Sequence, residues 1–138
     1  YYQIYDCNPE EIKFIKKKYN KKIISAITVE KKEDVSKYKS FVSISDIILF
    51  DSKGYEKSLS YDHNLLNEVP NNINKMIAGN IQFDDDIEKF RNICKYIDIS
   101  GGLETSGIKD ISKIDIFLNK IKQLNNETKK RYPINRST

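Results

Sequence analysis

Residues 96–110 read Tyr96-Ile-Asp-Ile-Ser-Gly-Gly-Leu-Glu-Thr-Ser-Gly-Ile-Lys-Asp110. The first four residues are aromatic or β-branched apart from Asp98, which is typical of a buried strand. Gly101 and Gly102 follow, and adjacent glycines let a backbone approach a ligand and turn successive N–H groups toward a phosphate. Asp110 is a good N-cap for the apolar-periodic segment after it. The stretch predicts a strand, an anion-binding loop and a helix, although a Gly-Gly pair also serves as a simple tight turn.

Strand-like runs recur along the chain at intervals of more than twenty residues. The predicted strands are Tyr1–Tyr5, Ile23–Val29, Ile47–Phe50, Ile73–Ala78 and Tyr96–Ile99. The predicted helices are Pro9–Tyr19, Glu30–Tyr38, His63–Val69, Phe83–Cys94 and Ile111–Leu124. Alternation of strands and helices through short connections predicts an α/β fold with a parallel sheet and helices outside it.

Five βα units in a row fit either the last five units of a TIM (β/α)8 barrel or an open doubly wound sheet. A complete barrel needs at least about 200 residues, and this chain has 138. Periodicity alone leaves both open: in the first case residues 1–124 form a partial barrel, and in both cases we expect residues 125–138 to be a frayed tail. Five strands of eight leave two open sheet edges, so we expect the chain alone to be marginally stable or to associate.

The composition argues against several classes of partner. The net charge is +4, and we interpret the lysines as a solvated surface, with no nucleic-acid partner. No apolar run approaches the roughly 18 residues of a membrane span, so no membrane partner is predicted. Two cysteines, Cys7 and Cys94, provide no disulfide or metal framework, which suits a reducing cytoplasm.

Several predicted strands end in residues that can carry chemistry, and strand ends of this kind form active sites in barrels. The apolar run Ile47–Phe50 leads into Asp51, whose carboxyl could act as a general acid at a pocket floor or simply cap a loop. Gly79 suits a phosphate-binding loop or a plain turn, and Asn80 tolerates a left-handed conformation. Asp98 is either a site residue or a buried structural acid.

The stretch Asp98–Asp110 also resembles the Asp-Val-Ser-Ser-Gly-Val-Glu…Gly-Val-Lys-Asp signature that follows the eighth strand of phosphoribosylanthranilate isomerases, which are TIM-barrel enzymes of tryptophan biosynthesis. Residues 49–53 resemble the family's Leu-Leu-Asp-Ser/Thr-Lys at strand six, and residues 77–81 resemble its Leu-Ser/Ala-Gly-Gly-Leu after strand seven. The resemblance implies that the chain holds strands four to eight of the barrel.

The family resemblance implies roles for eight residues. Asp51 would protonate the furanose ring oxygen, and Asp98 would orient the anthranilate amine and a ribose hydroxyl. Tyr5 would contact substrate where the family has a histidine, and its hydroxyl can still donate a hydrogen bond. The phosphate would lie on Gly79, Asn80, Ser100, Gly101 and Gly102. The implied partner is a small phosphoribosyl substrate, with no metal or organic cofactor.

Departures from the family pattern keep other functions open. Tyr5, Ser25 and Asn80 replace His, Lys and Gly, and Gly54–Ser60 lacks the family's Gly-Gly-x-Gly-Lys loop. The family's general base is a first-strand Cys in Lys-x-Cys-Gly, which this sequence does not contain. We therefore expect an Amadori rearrangement of N-(5-phosphoribosyl)anthranilate by the parent protein and none by the 138 residues alone. The alternatives are a degenerate or altered-substrate phosphosugar-binding barrel and, less well supported, a doubly wound nucleotide-binding module.

Overall fold

A five-stranded parallel sheet, assembled in chain order, forms the centre of the fold. The computed structural model describes residues 1–52 and 61–131. The strands are β1 (Tyr2–Ile4), β2 (Ile23–Val29), β3 (Ile47–Ser52), β4 (Lys75–Ile77) and β5 (Tyr96–Ile97). Each strand pairs in parallel with the next one. The predicted α/β fold with a parallel sheet is confirmed, and the strand order is not that of a doubly wound sheet, which reverses at a switch point.

The two central strands are buried on both faces. The run Ile23–Val29 is almost wholly buried, as is the apolar part of β3, and both are rich in β-branched residues. Such continuous apolar runs are typical of parallel strands that are covered on both sides. One face packs against the helices through residues such as Ile27, Phe50 and Ile77. The other face carries a smaller cluster that includes Ile24, Ile47, Leu49 and Ala78.

The sheet is strongly curved. Gln3 on β1 and Asp98 just after β5 belong to the two edges of the sheet, yet Gln3 Nε2 lies 3.4 Å from Asp98 Oδ2. In a flat sheet, four strand spacings would separate the edges by about 19 Å. The side chains meet because the sheet curls around the smaller apolar cluster, which creates a concave face.

The first helix, α1 (Pro9–Tyr19), has the predicted limits. Asn8 Oδ1 accepts from the amide of Glu11 at 2.9 Å, and the Glu11 carboxylate accepts from the amide of Asn8 at 2.8 Å. This reciprocal capping box fixes the helix start. Asn20 ends the helix at φ 50°, a left-handed conformation that asparagine tolerates better than most residues.

The middle helices are shorter and tighter than predicted. Only α2 (Lys32–Val35) is α-helical, and it continues as a 3-10 turn over Ser36–Ser40. The other two predicted helices shrink to 3-10 turns at His63–Glu68 and Ile87–Phe90. In the second case, Asp85 Oδ2 accepts from the amide of Gln82 at 2.9 Å and Asp86 Oδ1 from that of Glu88 at 3.2 Å. These local side-chain bonds compete with helix formation, so the prediction of a helix over 83–94 is wrong.

The last helix, α3 (Ile111–Arg131), extends past the predicted end at Leu124. Leu124 packs against the main core, and the Arg91 guanidinium donates to the Thr128 hydroxyl one turn later. These contacts continue the helix through residues 125–131, where a frayed tail was expected; residues 132–138 lie outside the described range. No helix within the described ranges has the length and apolar character needed to span a membrane.

Candidate active site

Four side chains, carried by three alternate strands or the residues that follow them, meet on the concave face. The Tyr5 hydroxyl, just beyond β1, donates to Oδ2 of Asp51 on β3 at 2.9 Å. Gln3 Nε2 donates to the Tyr5 oxygen at 3.3 Å and to Oδ2 of Asp98 at 3.4 Å. Because successive residues of a strand point to opposite faces, Leu49 and Asp51 share a face, as do Gln3 and Tyr5. The sequence predicted Tyr5, Asp51 and Asp98 as site residues, and the fold brings all three together.

Asp51 accepts hydrogen bonds on both carboxylate oxygens. Oδ2 accepts from Tyr5, and Oδ1 accepts from the backbone amide of Ser52 at 2.8 Å. The residue is half-buried at the carboxyl end of β3. A carboxyl group in this position can exchange a proton with a ligand on the concave face.

Burial alters the acidity of the neighbouring groups. Desolvation raises the pKa of Asp98; the hydrogen bond from Gln3 opposes this rise, and the charge of Asp51 adds to it. Desolvation also raises the pKa of Tyr5 well above its ordinary range, and the charge and hydrogen bond of Asp51 raise it further. Tyr5 is therefore a hydrogen-bond donor throughout the physiological pH range.

The loop after β4 needs a glycine at Gly79. This residue has φ +99°, and a Cβ atom there would lie 3.2 Å from both Ser52 Cβ and Tyr61 Cε1. Asn80 follows at φ 52°, so the prediction that it tolerates a left-handed conformation is confirmed. A side chain at residue 79 would combine backbone strain with a steric conflict.

Gly102 joins the loop after β5 to the loop after β4. Its backbone pairs in parallel with that of Gln82, and the amide of Phe83 donates to its carbonyl at 3.3 Å. A Cβ atom on Gly102 would lie 2.0 Å from the carbonyl oxygen of Ile81. Gly102 is thus required because two protein loops contact each other there. The sequence had instead suggested that the glycine lets the backbone approach a ligand.

A small hairpin lies inside the Asp98–Asp110 stretch and was not predicted. Strands β6 (Glu104–Thr105) and β7 (Ile108–Lys109) pair antiparallel. Ser106 and Gly107 connect them at φ 53° and 78°, as a type I′ turn requires. The Ser-Gly dipeptide is a known turn signal and could have revealed this hairpin.

The hairpin returns Lys109 to the loop after β5. Lys109 Nζ donates to the Ser100 carbonyl at 2.9 Å, to the Ser100 hydroxyl at 3.1 Å and to Glu104 Oε1 at 2.7 Å. Asp110 then caps α3, because its Oδ1 accepts from the amide of Ser112 at 2.9 Å. The predicted N-cap is confirmed, whereas the role of Lys109 depends on the hairpin and was missed.

Two other residues considered from the sequence lie away from the cluster. Ser25 is buried and points to the opposite face from its neighbour Ile24, which lies on the concave face. The Ser25 hydroxyl lies 2.6 Å from the hydroxyl of Ser45. His63 packs against the rings of Tyr61 and Phe90, and its Nε2 lies 3.1 Å from the Ala78 carbonyl. Desolvation lowers the pKa of His63. Both residues support the fold, and the loop at Gly54–Ser60 lies outside the described residues.

Comparison with known proteins identifies the family of the chain. The family model of N-(5'-phosphoribosyl)anthranilate (PRA) isomerase matches residues 5–120. The enzyme of that name from Agrobacterium fabrum is 29% identical over 119 residues, which are 80% of this chain and 54% of that protein. The one from Rhizobium rhizogenes is 28% identical over 123 residues, covering 83% and 55%. The chain therefore spans about half the length of these relatives.

Solved structures show the same fold. Monomers derived from the dimeric phosphoribosylanthranilate isomerase of Thermotoga maritima align with TM-score 0.67 at 16% identity, over 88% of this chain and 71% of that one. An isomerase complexed with reduced 1-(o-carboxyphenylamino)-1-deoxyribulose 5-phosphate aligns with TM-score 0.62 at 16% identity, over 88% and 70%. With the family model matching most of its length, the chain belongs to the N-(5'-phosphoribosyl)anthranilate isomerase family.

Proposed function

We propose that the chain forms strands four to eight of a (β/α)8 barrel that isomerises N-(5-phosphoribosyl)anthranilate in tryptophan biosynthesis. The sequential parallel order of its strands and the curvature of the sheet support this assignment. In such barrels, side chains from alternate strands form the interior layers, and the active site lies at the carboxyl ends of the strands. Tyr5, Asp51 and Asp98 follow this arrangement.

Asp51 carries the proposed chemistry. As a general acid it donates a proton to the furanose ring oxygen, and the ring opens. A base then removes the proton from C2′ to give an enol, which tautomerises to the ketone of an Amadori product. Neither Cys7 nor Cys94 is followed by glycine, so neither matches the Lys-x-Cys-Gly base of the family. We therefore propose that residues 1–138 alone do not catalyse turnover. Asp98, whose pKa is raised by burial, orients the substrate amine and hydroxyl.

The substrate phosphate is proposed to lie between the loops after β4 and β5. Gly102 joins these two loops through its backbone, and the loops follow neighbouring strands of the parallel sheet. Among residues 1–52 and 61–131, no acceptor is bonded to the amides of Gly79, Asn80 or Gly101. Successive amides of this kind form anion-binding concavities, and Ser100 adds a hydroxyl.

The test measures the loss of anthranilate fluorescence with phosphoribosylanthranilate, in the protein expressed from its complete reading frame. Asp51→Asn is expected to reduce turnover about 100-fold or more, the usual contribution of a general acid. Asp115→Asn, a matched change on the exposed surface of α3, controls for the loss of a carboxylate. Equal turnover by the two variants would rule out Asp51 as the acid.

One observation favours the alternative of a phosphosugar-binding barrel without this activity. The Tyr5 hydroxyl is hydrogen-bonded to Oδ2 of Asp51 and so occupies a carboxyl oxygen that would need to give a proton to the substrate. A folded complete protein that binds phosphate but leaves phosphoribosylanthranilate unchanged would establish this alternative.

A further inference from the structure

Lys109 holds the backbone of the loop after β5 from one side. Its ammonium group donates to both the carbonyl and the hydroxyl of Ser100. The same carbonyl accepts from the amide of Leu103 at 3.0 Å. Two donors therefore fix the orientation of the peptide plane between Ser100 and Gly101.

This orientation determines where the next amide points. The described peptide bonds are all trans, and in a trans peptide the N–H group is directed opposite to the C=O group. Because the Ser100 carbonyl faces Lys109, the Gly101 N–H faces away from the hairpin. The hydroxyl oxygen of Ser100 also accepts a hydrogen bond from Lys109. The hydroxyl proton of Ser100 therefore remains available for another acceptor.

The contribution of Lys109 is geometric more than electrostatic. Glu104 Oε1 lies 2.7 Å from Lys109 Nζ, so the ion pair adds little net charge beside the loop. The pair is also solvent-exposed on the lysine side, where attraction to a more distant anion is screened. An effect of Lys109 on ligand binding thus requires its hydrogen bonds to Ser100.

We propose that Lys109 is a positioning residue which, through the β6–β7 hairpin, turns the Gly101 amide and the Ser100 hydroxyl toward a phosphomonoester dianion. The inference rests on the phosphate-binding part of the proposed function and does not depend on the isomerase chemistry. The loop and the lysine lie in one stretch of sequence, and the hairpin returns residue 109 to residue 100.

The experiment measures binding of inorganic phosphate, by isothermal titration, to the protein expressed from its complete reading frame, and follows the Gly101 amide by NMR. Lys109→Met removes the donors and keeps an apolar stem. Lys113→Met is the matched control, because it removes the same charge from a lysine that does not contact Ser100. Lys113 Nζ donates instead to the Glu104 carbonyl at 2.6 Å. Circular dichroism establishes that each variant is folded.

Lys109→Met is expected to weaken phosphate binding about tenfold, the effect of losing one well-placed hydrogen-bond arrangement, and to abolish the phosphate-induced shift of Gly101. Lys113→Met is expected to bind within about twofold of the parent chain. Equal weakening by both variants, unchanged binding by Lys109→Met, or no binding by the parent chain would each overturn the proposal. Absence of isomerase turnover with this binding pattern intact would overturn only the proposed reaction.

Discussion

The Tyr5 hydroxyl lies 2.9 Å from Oδ2 of Asp51, although 46 residues separate the two in sequence. One residue follows β1 and the other lies on β3, with β2 between them. The concave curvature of the sheet turns these two side chains toward each other. The bond joins Tyr5, one of the residues that differ from the family pattern, to the carboxyl group proposed as the acid.

This bond makes the Tyr5 phenol a reporter of Asp51. Replacing Asp51 with asparagine removes a negative charge that raises the pKa of Tyr5, so the pKa of Tyr5 should fall in Asp51→Asn. Titration of 13C-labelled tyrosine by NMR measures the change, with Tyr5→Phe identifying the signal. Asp115→Asn should leave the Tyr5 titration unchanged. A Tyr5 pKa that is the same in the parent protein and in Asp51→Asn would contradict the hydrogen bond.

Asp98 should reduce stability at neutral pH. Its folded-state pKa is raised by burial, above an unfolded value of about 3.9. Its stabilising contribution is therefore fully present below about pH 3.9 and is lost as the pH rises through the folded-state value. We expect Asp98→Asn to raise Tm at pH 7 and to leave Tm at pH 3 nearly unchanged. A lower Tm at pH 7 would show that the ionised group is stabilised by its surroundings.

His63 should stabilise the fold at neutral pH and lose this contribution in acid, the opposite of Asp98. Desolvation lowers its folded-state pKa below an unfolded value of about 6.5. The neutral imidazole stabilises the fold above about pH 6.5, and this contribution is lost as the pH falls toward the folded-state value. We expect urea denaturation to reveal a loss of unfolding free energy between pH 7 and pH 5. His63→Gln, which keeps an N–H donor for the Ala78 carbonyl, should remove that part of the loss.

Gly102 should tolerate alanine less well than Gly107. Gly102→Ala places a Cβ atom 2.0 Å from the Ile81 carbonyl oxygen, and overpacking of this kind costs about 1–3 kcal/mol or more. Gly107→Ala meets no atom within 4 Å at φ +78°, so it should cost only the left-handed strain of about 1–2 kcal/mol. Chemical denaturation ranks the variants. A less stable Gly107→Ala would show that the loops separate more readily than the structure indicates.

The sequence was sufficient for the elements that local signals define. Asn8 and Asp110 mark helix starts by side-chain chemistry, and the apolar runs at residues 23–29 and 47–50 define central strands. The carboxylates Asp51 and Asp98 could be placed at strand ends for the same reason. Parallel strands place both carboxylates at the same end of the sheet, and the curvature of the sheet then brings them toward each other.

Features that depend on distant contacts could not be read in the same way. Lys109 resembles any surface lysine until the hairpin brings it to Ser100. The extension of α3 depends on Arg91 reaching Thr128 from a separate turn. Local aspartate bonds convert an apparently periodic helix at residues 83–94 into a tight turn. Tertiary or competing local interactions override the apolar period in each case.

The contact between Gly102 and Ile81 has a consequence for engineering. The two backbones touch without an intervening side chain. The conformations of the loops at residues 79–82 and 100–103 therefore depend on each other. A transplant of either loop from another protein would import a surface shaped for a different neighbour. Successful redesign of ligand preference at this end of the sheet therefore requires both loops to be grafted together.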